Sequence, residues 1–325
     1  MSSELSQMML NFSPLFILWA AVILNLLLPL SYSAHPARLW HQFARLLASK
    51  VNSHRSYQQD SISGALACTL MLFPTLALLI ALQTLAWQAE YFQLALLFLA
   101  LDWRNQNQLE NKMGNCLSRE DKEGARQELA SILNRDVNTL SLLGAGKATV
   151  ETLIAGQSRQ VISVIFWFAL SGGIGAFIYR LICELHRAWS PSQPIYRPFG
   201  LATAQLLLIL EWLPVRLFLL LLITGRNAGQ IYSLAKREYR SWISPSQGLL
   251  LSAIGHKLQL SLGGPALYQN LQKSNIKAVR AKLGGRIAPA ALHLSQVMGL
   301  LNQRTLLWLI LQSLIMFILL WVFNV

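Results

Sequence analysis

Charged residues are scarce in this sequence, and their scarcity excludes an ordinary soluble domain. Asp, Glu, Lys and Arg make up 13% of the 325 residues, against about 25% in typical soluble domains. Hydrophobic residues make up 54%. Several apolar runs are long enough to cross a bilayer. The composition therefore predicts an integral membrane protein whose first partner is the lipid bilayer.

Acidic residues are absent after Glu238. The segment 239–325 carries eight Lys or Arg and no Asp or Glu, and the net charge of the chain is +13. A basic segment can bind nucleic acid, anionic lipid or an anionic substrate. This segment is rich in Leu and Ala and has no nucleic-acid-binding signature, so we expect no nucleic-acid partner. The bias of cytoplasmic loops towards Lys and Arg accounts for most of the excess charge.

Cysteines and common catalytic motifs are also sparse. Cys68, Cys116 and Cys183 form neither a CxxC pair nor a Cys/His cluster of metal-binding spacing, so free structural thiols are expected. The sequence contains no P-loop, G-x-S-x-G or H-E-x-x-H motif. The six histidines are scattered along the chain. Short motifs therefore identify neither a reaction nor a metal.

The apolar runs predict an all-α, polytopic membrane protein that forms one domain over residues 1–325. About five transmembrane helices are expected, with short or re-entrant helices and helical cytoplasmic loops. Residues 91–101 are too short for an upright crossing, so we interpret them as the return arm of a helical hairpin. Residues 248–262 are expected to be buried or re-entrant. The predicted spans are 12–30, 62–87, 161–182, 201–223 and 305–323.

The distribution of Lys and Arg predicts the orientation of these spans. No Lys or Arg precedes the first span, whereas the loop 31–61 carries four. We therefore expect the N-terminus outside the cytoplasmic (inner) membrane, with 31–61, 102–160 and 224–304 inside. The turn 183–200 is then expected outside, although its two arginines weaken this expectation, and the turn could instead fold back towards the membrane.

The stretch LILEWLPVRLFLLLL (208–222) places Glu211, Pro214 and Arg216 inside an apolar run. A charge near the bilayer centre costs roughly 2.5–3.5 kcal/mol on insertion scales. The residues form either a paired structural set near an interface or part of a functional site. Glu211 and Arg216 are about 140° apart on an ideal helix, so direct pairing would need a bend at Pro214.

Two features near the C-terminal end indicate anion binding. NLQKSNIKAVRAKLGG (270–285) predicts a helix in which Lys273, Lys277 and Arg280 form one basic stripe. The stripe could lie on anionic lipid headgroups or bind a phosphate or carboxylate. Gly263 and Gly264 form a turn that could present backbone N–H groups to an anion. The same turn could simply terminate a helix.

A series of segments then supports a family resemblance. HPARLWHQFARLL, ILNRDVNTL, KATVETL, FWFALSGGIGAFIYRLI, PIYRPFG, EWLPVRL, ISPSQG and LGGPALY occur in this order. Their order and spacing resemble the CobD/CbiB family of membrane-bound adenosylcobinamide-phosphate synthases, from about residue 35 to residue 283. No single motif in the series is decisive; the ordered series carries the resemblance.

The resemblance implies an ATP-dependent amide ligation in cobalamin biosynthesis. A propionate of adenosylcobyric acid is joined to aminopropanol or its phosphate. The acid is activated as an acyl phosphate, which requires Mg²⁺ and cations around the phosphates. The implied cofactors are ATP and Mg²⁺, and the implied partners are a corrinoid substrate and other enzymes of the pathway.

The sequence departs from the family at its polar positions. Where the family typically has Glu-Asn and then Asp-Gly after the KATVETL-like segment, this chain has Ala155-Gly156 and Arg159-Gln160. Where Asn-Thr-Leu-Asp is usual, the chain reads CELH (183–186), and Leu207-Leu208 replace two adjacent Asp. These replacements remove many residues suited to holding a metal.

The residues that the resemblance and the local chemistry nominate share charge, hydrogen-bonding capacity or turn geometry. Asp136 and Glu151 are the candidates for metal or proton roles, while the metal itself is left unassigned. Each nominated residue could equally be a helix cap or a salt-bridge partner. The candidates for binding substrate or phosphate are His35, Arg38, Arg135, Tyr196, Arg197, Arg216, Gly263, Gly264, Lys273, Lys277 and Arg280.

Two other functions are compatible with the departures. A protein that keeps the apolar frame and loses the acids could be a non-catalytic membrane sensor or regulator, similar to the AmpE proteins. It could also present a corrinoid or a lipid-linked intermediate to other enzymes.

Overall fold

A computed structural model describes residues 13–28, 36–53, 56–269, 275–278 and 280–323. The prediction of an all-α membrane fold is confirmed for these residues. The α-helices are α1 (Ser13–Leu27), α2 (Pro36–Val51), α3 (Tyr57–Leu85), α4 (Ala89–Ala100), α5 (Trp103–Ser118), α6 (Lys122–Ala130), α7 (Leu142–Gln157), α8 (Ser163–Ala188), α9 (Leu201–Ile223), α10 (Ala228–Glu238), α11 (Pro245–Lys257) and α12 (Ala291–Phe323).

Four stretches are long and apolar enough to cross a membrane. They are α3, the continuous segment Leu142–Ala188, α9 and Ala291–Val322, and α1 is a shorter apolar helix. Their large apolar side chains, such as Phe73 and Ile209, are exposed on the outside of the bundle. This outward apolar surface indicates contact with lipid, because large contiguous apolar patches are rare on soluble monomers.

Helices α1 and α4 end at the same level. The Asn25 side chain donates to the Leu101 carbonyl (2.9 Å) and accepts from the Trp103 N–H (3.1 Å). The Arg104 guanidinium donates to the carbonyls of Leu26 and Leu27 at the open end of α1. Helix α4 therefore runs parallel to α1, and the interpretation of 91–101 as the return arm of a hairpin stays a prediction.

The predicted single span 161–182 is wrong, because α8 is a helical hairpin. A straight helix would separate Gln160 from Arg180 by about 30 Å. Instead, both contact Asp102, whose N–H donates to the Gln160 carbonyl (3.2 Å) and whose carboxylate lies 3.5 Å from Arg180. The chain reverses at Ser171 and Gly172, where Gly172 has φ +67° and ψ −165°. Only glycine adopts this backbone conformation readily.

The hairpin arms pack tightly because glycines line the turn. A Cβ on Gly173 would lie 2.7 Å from the Gln93 carbonyl oxygen of α4. Further along, the rings of Trp167 and Tyr179 stack with centroids 6.5 Å apart across the two arms. The three glycines in SGGIG thus permit a turn and a close helix contact, which the apolar pattern alone does not distinguish from an ordinary span.

The turn 183–200 was predicted outside, and the structure contradicts this placement. The Asn134 side chain donates to the Arg187 carbonyl (2.8 Å), and Gln193 donates to the Asn134 carbonyl (3.1 Å). Asn134 belongs to the segment 102–160 that was expected inside, so the two segments lie together at one end of the helical bundle. The hairpin explains this result, because its second arm returns to the side from which the first arm started.

Helix α9 covers the predicted crossing 201–223 and is long and apolar enough to span a membrane. It follows the turn 183–200, and the segment after it also contacts the 102–160 region: Lys147 donates to the Ser261 hydroxyl (3.1 Å). Both flanks of α9 thus contact the 102–160 region. Its C-terminal carbonyls at Leu222 and Thr224 accept from the Lys257 ammonium group. Burial lowers the pKa of Lys257, and nearby Arg304 lowers it further.

The predicted basic helix 270–285 is also wrong over the described residues. Two antiparallel strand pairs occupy this region, formed by β1 (Ser261–Gly263) with β4 (Lys282–Gly284) and by β2 (Ala266–Gln269) with β3 (Asn275–Ala278). Positive φ angles at Gly263, Gly264 and Gly284 end these short strands. The helical spacing of basic residues was coincidental, because the chain pairs as strands over Asn275–Ala278 and Lys282–Gly284.

Candidate active site

A cleft of about 870 Å³ opens between α5, α7, the hairpin α8 and the start of α9. Segments 131–135 and 242–247 close its other sides. Its lining combines apolar side chains with a concentration of charge that is unusual in this chain. The charged lining residues are Asp102, Lys112, Glu128, Arg135, Glu151, Arg159, Arg180, Glu184, Arg187 and Arg280.

Glu151 organises one side of the cleft. Ser141 caps the N-terminus of α7, accepting from the Gly144 N–H (3.1 Å), and fixes the helix that carries Glu151. One Glu151 oxygen accepts from the Gly263 N–H (2.8 Å). The other accepts from Arg280 (3.1 Å) and lies 3.9 Å from Arg135. Two guanidinium groups are thus held side by side at the cleft wall.

Arg280 is fixed by more than its ion pair. Its Nε donates to the Gly264 carbonyl (3.1 Å), and its guanidinium lies 4.9 Å from the centre of the Trp242 ring. The Gly263–Gly264 turn ends strand β1, so it does not terminate a helix. The Gly263 N–H donates to the Glu151 carboxylate of the protein itself, so the turn is not an isolated anion-binding site. We call Arg135, Glu151, Gly263, Gly264 and Arg280 the Glu151 cluster.

A second cluster lies where the hairpin meets α9. Glu211 is fully buried and accepts from the guanidinium of Arg159 in the π-helical turn Ser158–Ile162. His186, on the second hairpin arm, lines the same cleft and lies within electrostatic range of Arg159. We call Arg159, Glu211 and His186 the Arg159 cluster. It explains how an acid is accommodated in the apolar stretch 208–222.

Arg216 takes no part in either cluster. Its guanidinium lies 4.4 Å from the centre of the Trp212 ring, and it donates to the Trp212 carbonyl one turn earlier (2.8 Å). Pro214 remains inside an unbroken α9. The Glu211–Arg216 pairing that a bend at Pro214 could allow is therefore not formed, and the two charges of the stretch have separate partners.

Arg180 connects the hairpin to α4 and α2. It pairs with Glu184 one turn later (3.0 Å) and approaches Asp102 (3.5 Å). Glu184 also lies 3.7 Å from Nδ1 of His41. Burial lowers the pKa of His41 more strongly than nearby Glu184 raises it. The acids at this end of the cleft are thus engaged by protein cations.

The positions at which the sequence departs from the CobD/CbiB pattern converge on this cleft. They come from α7, the π-helical turn, the second arm of α8 and α9. The departing residues that line it are Ala155, Gly156, Arg159, Gln160, Cys183, Glu184, His186, Leu207 and Leu208. The departures that the resemblance implied therefore lie together in one place, where the chain carries apolar side chains beside basic and acidic groups.

The structure brings together five of the nominated residues, which form the Glu151 cluster. Asp136 does not line the cleft; its carboxylate accepts from the Asn138 N–H (2.9 Å) in a local turn. Arg38 and Arg197 are exposed, and the Tyr196 carbonyl accepts from the Gly200 N–H (2.8 Å).

Three nominated residues have no described side chain. His35 and Lys273 lie outside the described residues, and Lys277 belongs to strand β3, whose backbone alone is described. The placement of these residues relative to the cleft stays a prediction.

Sequence reasoning missed several charged lining residues, namely Arg159, Arg180, Glu184, His186 and Arg187. A signal was present, because ionisable residues in or beside an apolar span mark functional sites by default. Arg159 and Arg180 flank the apolar run of the predicted span 161–182. Their proximity depends on the hairpin, which was not predicted.

The cleft fits phosphates better than a resident divalent cation. Among the described residues, no group of three or more His, Cys, Asp and Glu could hold a metal ion. Glu151, Glu184 and Asp102 all face guanidinium groups. Arginine forks match the geometry of phosphate and carboxylate oxygens. The side chains present therefore do not fit a protein-held Mg²⁺, but they do fit an anionic ligand.

Comparison with known proteins identifies the family. The family model described as "CobD/Cbib protein" matches residues 18–295. "Cobalamin biosynthesis protein CobD" of Chromobacterium violaceum is 30% identical over 76% of this chain and 78% of its own length. The protein of the same name from Stutzerimonas stutzeri is 27% identical over 89% of this chain and 94% of its own length. No solved structure matches. The chain belongs to the CobD/CbiB family of cobalamin biosynthesis proteins.

Proposed function

We propose that the chain joins aminopropanol or aminopropanol phosphate to a propionate of adenosylcobyric acid, in an ATP-dependent amide ligation within the cleft. The observation that carries the proposal is the charged cleft of about 870 Å³ at the end of an apolar bundle in a CobD/CbiB-family chain. Its size lies within the range of about 300–1,000 Å³ typical of ligand pockets.

The Glu151 cluster supports the binding of anionic groups. Arg135 and Arg280 are largely buried, and both are held by Glu151. Holding them before a ligand arrives reduces the ordering cost of binding. A corrinoid propionate, an acyl phosphate and the phosphates of ATP all carry oxygens that such guanidinium groups bind.

The apolar lining supports an acyl-transfer role for the same cleft. An acyl phosphate reacts with water as well as with an amine, so the site must exclude water. Leu207 and Leu208 replace hydrophilic residues of the family pattern and line the cleft beside Ala155. Among the described residues, the chain contributes binding groups and a partly apolar wall, and no metal ligand set.

The cleft is also proposed to open to the cytoplasm, where ATP is available. This proposal rests on the basic residues of 31–61 and 224–304 and on the positive-inside rule. The proposed location is the inner membrane, with the N-terminus outside.

The test uses purified membranes that contain the protein, supplied with adenosylcobyric acid, aminopropanol phosphate, ATP and Mg²⁺. The amide product is followed by mass. Membranes without the protein are the negative control, and membranes with the Chromobacterium relative report whether the assay conditions support ligation. Product above the empty-membrane control is expected. Absence of product, while the relative produces it, contradicts the ligation.

A second function is favoured by the missing carboxylates. The same cleft could bind a corrinoid without ligating it, as a presenting protein or an AmpE-like sensor. Equilibrium dialysis of adenosylcobyric acid against the purified protein separates the two functions. Binding with no product supports the non-catalytic function, whereas binding with ATP-dependent product supports the ligase.

A further inference from the structure

Among the described histidines, His186 alone both lines the cleft and has a buried Nδ1 without a hydrogen-bond partner; Nδ1 of His41 also lacks one, but His41 does not line the cleft. His41 lies near Glu184, His256 pairs with Glu238 (3.0 Å), and Nδ1 of His293 accepts from the Ala290 N–H (3.1 Å). Nδ1 of His186 is buried and has no hydrogen-bond partner among the described residues. A buried polar atom without a partner costs about 1–3 kcal/mol. A ligand group that reaches this atom would supply the missing partner.

The position of His186 puts its side chain in the wall of the proposed reaction cleft. His186 lines the cleft on the second hairpin arm, within electrostatic range of Arg159 on the first arm. Glu211 on α9 neutralises Arg159. Glu184 and Arg187 flank His186 on its own helix, and Glu184 contacts His41 on α2. These are the charged groups that surround His186 from the neighbouring elements.

Amide formation needs a proton acceptor at this place. An aliphatic amine has a pKa of about 10, like that of lysine, so near neutral pH it enters the cleft as an ammonium ion without a free lone pair. A neutral imidazole can accept one proton at its unprotonated nitrogen. Glu151, Glu184 and Glu211 face guanidinium groups, which leaves His186 as the better placed acceptor.

We propose that His186 is the general base of the ligation, a proposal that rests on the function proposed above. Nδ1 of His186 takes one proton from the ammonium group of the aminopropanol substrate. The freed nitrogen attacks the acyl carbon of the corrinoid acyl phosphate. The C–N bond forms, the C–O bond to the phosphoryl group breaks, and phosphate leaves with the electron pair. The remaining excess proton on nitrogen is released to phosphate.

The test compares His186→Asn with wild type and with His293→Asn, a matched change outside the cleft. Ligation rates are measured from pH 6.5 to pH 9.5 at saturating substrates. We expect His186→Asn to lower the rate at pH 7 by about 100-fold or more. The deficit should shrink as the pH approaches the pKa of the amine, because the substrate then loses its proton to water. His293→Asn should keep the wild-type rate and pH profile.

A second readout separates a general base from a structural role. A weakly basic amine, such as a fluorinated aminopropanol, enters the cleft already neutral and should restore the rate of His186→Asn relative to wild type. His186→Asp, which keeps a proton acceptor, should be more active than His186→Asn. A loss of equal size at every pH and with every amine would overturn the proposal, as would a full rate in His186→Asn.

Failure of the function itself gives a different result. If wild type yields no product while the Chromobacterium relative does, the ligation is contradicted, and the general-base role that depends on it is contradicted as well. If wild type is active and His186→Asn behaves as wild type, only the general base is contradicted.

Discussion

The Glu151 cluster and the Arg159 cluster face the same cleft, but they are built in different ways. The first draws its residues from loops, short strands and α7, and its charged side chains keep between 7% and 11% of their surface exposed. The second is built from residues inside or beside apolar runs, where Glu211 has no exposed surface. A buried charge of this kind is tolerated only with a partner, so the second cluster depends more strongly on its pairing.

The largest predicted effect comes from breaking the Arg159–Glu211 pair. Glu211→Leu leaves a guanidinium uncompensated and should lower the free energy of unfolding by about 3–5 kcal/mol. Removing both charges, with Arg159→Leu added, should restore most of this loss. The measurement is thermal unfolding of the purified protein in detergent. Arg216→Leu, on the same helix, should change stability by no more than about 1 kcal/mol, because it removes an exposed cation–π contact.

Equal destabilisation by Glu211→Leu alone and by the double substitution would contradict the pairing. The two clusters would then differ only in position. Packing of the surrounding side chains, rather than the charge of Arg159, would explain why Glu211 is buried.

A smaller effect is expected in the Glu151 cluster. Glu151→Gln removes the charge that holds Arg135 and Arg280, and should lower the free energy of unfolding by about 1–3 kcal/mol. The matched control is Glu128→Gln, which breaks a pair with exposed Lys112 (3.1 Å). Exposed pairs contribute about 0–1 kcal/mol. The same unfolding measurement applies, and a loss for Glu128→Gln as large as that for Glu151→Gln would show that burial does not separate the two acids.

An effect of similar size concerns the hairpin that brings the Arg159 cluster together. Gly173→Ala places a methyl group 2.7 Å from the Gln93 carbonyl oxygen and should lower stability by about 1–3 kcal/mol. Gly299→Ala, on α12, meets no atom within 4 Å and should be neutral or stabilising by up to about 1 kcal/mol. Thermal unfolding of both variants checks this, and an unaffected Gly173→Ala would mean that α4 and α8 are less closely packed than described.

Sequence reasoning anticipated one cluster far better than the other. The Gly263–Gly264 turn, Glu151, Arg135 and Arg280 carry visible signals of charge or turn geometry, and they do come together. The secondary structure around Arg280 was predicted incorrectly. A spacing such as that of Lys273, Lys277 and Arg280 fits one face of a helix, but it also arises by chance. The sequence predicted which segments form apolar helices, because contact with lipid and burial in protein both require apolar side chains.

The hairpin explains most of what sequence reasoning missed. Ser171 and Gly172 reverse the chain inside a run that satisfies every criterion for a crossing. Periodicity and hydropathy do not register a reversal of direction. The side assigned to 183–200 and the meeting of Arg159 with Glu211 both follow from this turn. The two arginines of 183–200 were the one sequence feature that argued against placing this turn opposite the segment 102–160.

The most direct test of the account asks whether the corrinoid occupies this cleft. Ala155→Trp fills the cleft without removing a charge, and Leu170→Trp places the same side chain on the exposed apolar surface. Equilibrium dialysis measures adenosylcobyric acid binding to both purified variants and to wild type. The account predicts that Ala155→Trp loses binding by at least tenfold and that Leu170→Trp retains it. Undiminished binding by a folded Ala155→Trp protein would contradict it and would place the corrinoid elsewhere on the molecule.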